Sequence, residues 1–348
     1  MINLTIDDKQ IEVDEGTTVL EAAKELGVPI PTLCHDDRLK PFGACRLCIV
    51  EIAGMPKPVT SCTTPATDGM VVKTVSEKLH RLRKTTVELL LSDHPNDCMV
   101  CISSGECKLQ ELAYLYGIRE NRFTGEMRDH NKIDTNPFIT REQNKCVMCG
   151  LCVRVCEEVQ GVGAIGYAER GFEAKVTPPF GQNLDCEFCG QCVSICPTGA
   201  LSGGIWAGKP RGDSVKFTDT TCTYCGCGCN ITLRSSGDEV VRVDSDKDNH
   251  NRGWLCVKGR FGFEFINSKD RLTTPLIRRE KGGQFEKATW DEALDYVAGR
   301  FTEIKDKNGA DAVAGLCSAR CTNEENYLFQ KLMRAGIGTN NVDHCARY

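Results

Sequence analysis

The sequence predicts a multidomain α+β chain, and three features carry that expectation. Short alternating apolar runs open it: Ile2, Leu4 and Ile6, then Ile11 and Val13 after a polar turn, the period-two pattern of strands. Cysteine-dense stretches containing Gly and Pro occupy 94–107, 146–156 and 186–196 and carry no long periodic run. After about residue 216 short strands return, and a conventional α/β pattern follows. At 348 residues there is chain enough for about two or three domains, each burying its own core.

Taken in order, the first hairpin leads to a short helix. Thr18 and Glu21 have capping-box spacing, Leu20, Ala23 and Lys24 continue the turn pattern, and Gly27 supplies the stop. That order of elements over 1–78 suits a β-grasp ferredoxin-type domain. From 76 to 92 a helix is expected to carry Leu79, Leu82, Thr86, Leu89 and Leu90 on one side and to lead into a His/Cys group. The cysteine-dense stretches are expected to be loops organised around metal rather than around a large apolar core. Further on, Ile231 and Leu233, then Val240, Val241 and Val243, mark short strands. Thr289 and Glu292 cap a helix bearing Leu294, Val297, Phe301 and Ile304; residues 312–316 read as a buried strand; Thr322 and Glu325 cap another helix.

Composition excludes some functions. The 43 basic and 48 acidic residues, net charge -5, leave no basic stripe for nucleic acid. The start, MINLTIDDKQ, has no secretory or twin-arginine signal, and no apolar run approaches a membrane span, so a soluble cytoplasmic protein is expected. In a reducing compartment 23 cysteines do not read as a disulfide framework, which leaves metal binding.

Spacing decides which metal. Cys34, Cys45, Cys48 and Cys62 set a Cys-x-x-Cys pair between two distant single cysteines, able to wrap a two-iron cluster with four thiolates. Zinc is the plain alternative, because thiolate pairs alone do not separate the metals. The arrangement resembles the first cluster domain of the large iron-sulfur subunit of respiratory complex I and its hydrogenase and dehydrogenase relatives. His94, Cys98, Cys101 and Cys107 come next. In the same relatives this pattern holds a four-iron cluster with one histidine ligand; a lone His is usually structural, but this one stands just ahead of three close cysteines.

The third group is the most specific. Cys146, Cys149, Cys152 and Cys156, then Cys186, Cys189, Cys192, Cys196 and Pro197, repeat the bacterial two-cluster ferredoxin run. In that fold the fourth cysteine crosses over, so Cys156 is expected to complete the second cluster and Cys196 the first. Glu157 stands where proline is usual, which bears on the turn and not on ligation. Gly161, Gly163 and Gly166 match G-x-G-x-x-G but open no helix in a βαβ unit, and read as a turn.

Cys222, Cys225, Cys229 and Cys256, followed by Lys258, resemble the amino-terminal cluster domain of molybdenum and tungsten bis-pterin oxidoreductases. In that family the lysine lies between cluster and pterin and helps pass the electron, whereas taken alone it would be an ordinary solvated side chain. Cys227 is set aside because Cys229 gives the family spacing; Cys227, Cys317, Cys321 and Cys345 are expected to be buried small hydrophobes. Segment 270–278 (DRLTTPLIR) and the stretch 288–294 resemble the family's entry into its large α/β body. The expected domains are thus 1–78 (2Fe-2S, β-grasp), 79–118 (4Fe-4S held by one histidine and three cysteines), 136–208 (two 4Fe-4S, ferredoxin-type), 216–272 (molybdopterin-type 4Fe-4S) and 273–348 (start of the catalytic body).

Segment 338–348 (GTNNVDHCARY) resembles the stretch that in formate dehydrogenase catalytic subunits comes just before the redox-active selenocysteine or cysteine. The expectation is a chain read to a stop at an in-frame UGA after Tyr348, itself without that residue and inactive alone. The resemblance implies oxidation of formate to carbon dioxide at molybdenum or tungsten held by two pterin guanine dinucleotides. Electrons would leave through four 4Fe-4S clusters and one 2Fe-2S cluster to a diaphorase-like flavin/NAD(H) subunit, with ferredoxin as a further partner in some relatives. Two other readings stand beside it: a non-catalytic electron-transfer subunit, and a hydrogenase- or complex I-related subunit, since iron-iron hydrogenases share the first three cluster groups.

Overall fold

The structure, a computed structural model, describes residues 1–130, 134–206 and 214–346, the side chains of 134 and 135 excepted. Tyr348 and the end of the expected 136–208 domain lie outside the described residues. The chain divides into two compact units, 1–212 and 213–348.

In the first unit, β1 (Ile2–Ile6) pairs antiparallel with β2 (Lys9–Val13), Ile2 opposite Val13. Asp7 and Asp8 hold the turn at φ 45° and 65°, the left-handed pair that matches strand twist. α1 (Val19–Glu25) starts at the expected capping box: Glu21 N–H donates to Thr18 Oγ1 at 3.3 Å and Thr18 N–H to Glu21 Oε2 at 2.7 Å. β3 (Ile49–Ile52), β4 (Val59–Thr60) and β5 (Met70–Lys73) complete a sheet in the order β2-β1-β5-β3-β4, with β1 and β5 parallel. Leu4, Ile6, Val13, Val50, Ile52 and Val72 pack with Val19, Ala22 and Ala23 of α1 in one core. A mixed sheet clasping a helix is the β-grasp arrangement that the order of elements predicts.

α2 (Glu77–Ser92) has the expected extent but a different inward face. Leu82 and Leu89 are exposed, and the buried positions are Leu79, Arg83, Val87 and Glu88. Arg83 sets this: its Nε and Nη2 donate to Leu47 O and Ile49 O at 3.1 and 2.6 Å. A guanidinium bonded to backbone at the head of β3 thus takes the seam that leucines were expected to fill. α3 (Lys108–Leu115) buries Leu109 and Leu112, and Tyr116 at its end meets His80 of α2 with ring centroids 5.2 Å apart.

β6 (Asp134–Thr135) and β7 (Ile139–Arg141) precede the first cysteine run, and α4 (Leu151–Arg154) lies within it. β8 (Gly166–Ala168) and β9 (Lys175–Thr177) form a hairpin between the runs, α5 (Gln191–Ile195) lies within the second, and β10 (Leu201–Gly203) returns to pair with β7. The two ferredoxin-like stretches expected to be loops therefore each hold a short helix. Gly150 and Gly190, at φ 74° and 71°, turn the chain into α4 and α5, a conformation glycine adopts freely. Gly161 and Gly163 lie in a turn and Gly166 heads β8, so no helix opens there.

In the second unit β11 (Lys216–Thr221), β12 (Asn230–Ser236) and β13 (Glu239–Asp244) form an antiparallel sheet. β11 is exposed throughout and has no apolar alternation, hence no sequence signature. α6 (Val257–Phe261) follows, then the hairpin of β14 (Leu276–Ile277) and β15 (Glu286–Lys287). α7 (Trp290–Asn308) begins at the expected capping box, as does α8 (Asn323–Lys331) after β16 (Gly315–Cys317). β16 pairs parallel with β17 (Val342–His344). The buried strand expected at 312–316 is displaced: Ala310–Ala312 is a helical turn, Val313 is buried, and Leu316 is 80% exposed because the pair β16 and β17 is covered on one face only. Val313, Met333 and Ile337 make a small core with Phe301 and Ile304, while Leu294 and Val297 are exposed. Among the described residues no helix is long and apolar enough to cross a membrane.

Candidate metal centres

The long loop between α1 and β3 carries Cys34 and Cys45, and the β3/β4 pairing brings Cys48 and Cys62 together, their sulfurs 3.3 Å apart. Cys45 N–H donates to Cys34 Sγ at 3.4 Å. All four are buried, at 1–8% exposure. Within each pair a shared hydrogen bond holds one sulfur low and the other high. Cys34 is drawn down to about 5 by Cys45 and Cys48 to about 6 by Cys62, while Cys45 and Cys62 are pushed up by the same bonds. Two of four thiols thus already favour the thiolate a metal needs.

His94 follows α2 directly and Cys107 is the residue that caps α3. His94, Cys98 and Cys107 line one cavity, with Leu91 and Leu109 in its wall. Cys101 is turned toward Gly199, where a Cβ would stand 2.6 Å from its Sγ, and its charge and that of Cys98 both weigh on Cys107. The His94 Nδ1 is buried without a hydrogen-bond partner, and burial lowers the histidine's pKa, favouring the neutral ring that ligates metal. That orphan atom fits a cluster with one histidine ligand.

The two ferredoxin-like runs cross as expected. Cys146, Cys149, Cys152 and Cys196 line one cavity; Cys156, Cys186, Cys189 and Cys192 line another. The runs are built alike: Met148 N–H donates to Cys146 Sγ at 3.4 Å and Phe188 N–H to Cys186 Sγ at 3.3 Å, with Met148 and Phe188 both at positive φ. Burial raises the thiols of Cys146, Cys149, Cys152, Cys186 and Cys192, Cys149 to about 12, and the neighbouring sulfurs add to the shift. Four desolvated sulfurs facing one another suit thiolates only when cationic iron stands between them.

The fourth group sits at the tip of the β11/β12 hairpin, closed by Cys222 N–H donating to Cys229 O at 2.8 Å. Cys256 caps α6, and a Cβ at Gly259 in that helix would lie 3.8 Å from Cys222 Sγ. Burial raises Cys229 to about 11, and the next influence is Cys227, ahead of Cys222, Cys225 and Cys256. Cys227 therefore lies near Cys229, although sequence spacing set it aside. Lys258 is exposed on α6. Of the four unassigned cysteines none is buried, contrary to expectation: Cys227 and Cys345 are exposed, Cys317 and Cys321 half-buried. Cys227 lies in the hairpin tip, Cys317 ends β16, Cys321 lies in the loop before α8 and Cys345 in the turn after β17; α8, like α7, buries no residue fully.

Three buried cations beside the ferredoxin-like cages escape motif reading: Arg141, Lys145 and Arg154, 5–7% exposed. Arg141 lines both ferredoxin-like cavities. The signal available in sequence was a basic residue inside or just ahead of the first cysteine run, which spacing does not distinguish from a solvated one.

Comparison with known protein families matches five stretches of the chain. Residues 1–77 match the 2Fe-2S iron-sulfur cluster binding domain, 83–122 the NADH-ubiquinone oxidoreductase-G iron-sulfur binding region, and 136–202 the ferredoxin-like domain of NADH-quinone oxidoreductase subunit 3. Residues 215–268 match the molybdopterin oxidoreductase Fe4S4 domain and 271–348 molybdopterin oxidoreductase. The fold and these domains define an iron-sulfur electron-transfer type of protein, similar in its cluster domains to NADH-quinone oxidoreductase subunits. Residues 215–348 thus match molybdopterin oxidoreductases, and the amino-terminal iron-sulfur domains are like those of NADH-quinone oxidoreductase G proteins.

Among its relatives, the NADPH-Fe(3+) oxidoreductase subunit alpha of Geobacter sulfurreducens is 44% identical over 348 residues, 100% of this chain and 40% of the relative. The NADH-quinone oxidoreductase G 2 subunit of Rhizobium meliloti is 43% identical over 351 residues, again 100% and 40%. A chain in the crystal structure of NAD+-reducing NiFe-hydrogenase in the H2-reduced state is 33% identical, with TM-score 0.56, over 60% of this chain and 90% of that one. The chain thus spans about 40% of the length of the first two relatives. Their names speak of NADH and NADPH and not of formate, so these likenesses favour the complex I- and hydrogenase-related reading over formate dehydrogenase.

Proposed function

We propose that this chain is the electron-transfer part of a larger NAD(P)-linked oxidoreductase. It holds one 2Fe-2S cluster on Cys34, Cys45, Cys48 and Cys62, and 4Fe-4S clusters on the His94 set, on each crossed ferredoxin-like set, and on Cys222, Cys225, Cys229 and Cys256. The crossing of Cys156 and Cys196 between two four-thiol cavities carries the reading. Bound clusters supply one-electron steps. The chain's residues hold the sulfurs, keep water from them and tune their charge. A diaphorase-like flavin/NAD(H) subunit is the proposed partner, supported by the NAD(P) chemistry in the names of the relatives. The test is anaerobic purification with metal, sulfide and EPR analysis: about 18 iron atoms per chain are expected, with signals that appear on adding NADH or NADPH and the flavin subunit. Zinc in place of iron and sulfide would sink the reading.

A second, finer reading is formate oxidation at a molybdenum or tungsten bis-pterin site in the longer protein, with Lys258 as electron relay. What favours it is segment 338–348, in whose described part His344 ends β17 and Cys345 follows it, both exposed. Formate-dependent reduction of the clusters in the longer protein, with stoichiometric molybdenum or tungsten, is the expected outcome. Reduction by NAD(P)H alone, with neither metal bound, would leave only the first reading.

A further inference from the structure

We propose that Arg154 is a counter-charge shared by two neighbouring clusters, the 2Fe-2S cluster of Cys34, Cys45, Cys48 and Cys62 and the 4Fe-4S cluster of Cys146, Cys149, Cys152 and Cys196, and that it raises the reduction potential of both. The inference rests on the cluster reading above. Arg154 is 7% exposed, and a guanidinium so far out of water needs an opposing charge nearby. Among the described residues no carboxylate supplies one. Nη2 donates to Cys34 O at 2.6 Å and Nη1 to Lys40 O, both neutral carbonyls, and the buried Nε has no acceptor. Glu158, one turn along, accepts instead from Lys40 N–H at 2.9 Å. Lys145 makes the contrast: its Nζ lies 3.0 Å from Asp97 and 2.6 Å from Glu142, so protein carboxylates balance it.

Position supplies the other half. Arg154 closes α4, between Cys152 and Cys156 in sequence, while its hydrogen bond reaches the backbone of Cys34. The guanidinium lies 5.1 Å from the centre of the Phe42 ring, and Phe42 stacks with Tyr167 at 6.4 Å. Both rings press on Gly150 of the first run, where a Cβ would meet Tyr167 Oη at 2.2 Å and Phe42 Cε1 at 2.9 Å. The charge therefore sits against aromatic faces and backbone at the junction of two cages, where screening is weak. A four-thiolate cluster is an anion that gains one further negative charge when it takes an electron, with no bond made or broken. A fixed cation at that place stabilises the reduced form more than the oxidised one.

Arg154→Gln and Arg154→Lys in the full chain, purified anaerobically and titrated with dithionite under EPR, test this. Arg154→Gln is expected to lower the reduction equilibrium constant of both clusters roughly tenfold, 59 mV for a one-electron couple, leaving the midpoints of the His94 and Cys222 clusters in place. Arg154→Lys, which keeps the charge, is expected to stay near the wild type. An unmoved 2Fe-2S midpoint in Arg154→Gln overturns the proposal, as do equal shifts in both variants, which would mark a packing role. Should Arg154→Gln lose its iron, Arg154→Lys against wild type decides alone: retained midpoints support a charge role and a tenfold shift refutes it. Wild-type chain without iron and sulfide is a different result, because it removes the cluster reading itself.

Discussion

Gly150 shows how tightly single atoms are fitted around the cages. At φ 74° and with Tyr167 Oη and Phe42 Cε1 inside van der Waals distance of any Cβ, Gly150→Ala has neither conformation nor space to spare. It is expected to cost roughly 2–4 kcal/mol, read as an earlier loss of cluster absorbance in a urea titration; an unchanged midpoint would mean the rings yield freely. His94→Ala is expected to remove one 4Fe-4S signal and leave the others, while His94→Cys retains a cluster with an altered signal. Loss of every signal in His94→Ala would contradict the separate ligand sets. The cysteine groupings that line the two ferredoxin-like cavities were legible in the sequence, because spacing alone brings them out. Arg154 and Arg141 were not, since only the packing of the runs tells which basic side chain turns inward.

For the elements, the opening domain is the most direct case. Ile6 is 0% exposed in the core between sheet and α1, so Ile6→Ala is expected to destabilise that domain by about 2–5 kcal/mol. Thr18→Ala, which removes one half of a capping box, costs about 1 kcal/mol. Both are measured by denaturant-induced loss of the 2Fe-2S chromophore, and a Thr18 variant as damaged as the Ile6 variant would contradict this ranking. Capping boxes and period-two runs were legible here, and capping boxes again at α7 and α8. The inward face of α2 was not, because Arg83 finds two backbone acceptors only after β3 is in place. β11 was invisible for the opposite reason: its residues stay exposed and pairing with β12 alone defines it.

On the scale of the molecule, the crossing of the two runs makes a sharp prediction. Cys156→Ala is expected to abolish the cluster of Cys186, Cys189 and Cys192 while sparing that of Cys146, Cys149 and Cys152, and Cys196→Ala does the reverse. EPR after reduction separates the two, and a variant that empties its own run would refute the exchange. Removing iron with an oxidant and a chelator is expected to unravel residues 136–202 first. Their strands are two or three residues long and their walls are cysteines, so bound metal and folding are the same free energy there. Proteolysis that began instead within the β-grasp sheet would contradict this order.

The same exchange sets a clock on biosynthesis. Three walls of the earlier cavity have been made by Cys152, yet the fourth arrives only with Cys196. With the proposed ligand sets, neither inorganic core would be fully seated until the nascent chain had reached the second run, so cofactor delivery would wait for the ribosome to move that far. A nick between the two runs would leave a pair of half-built vessels rather than one sound and one broken.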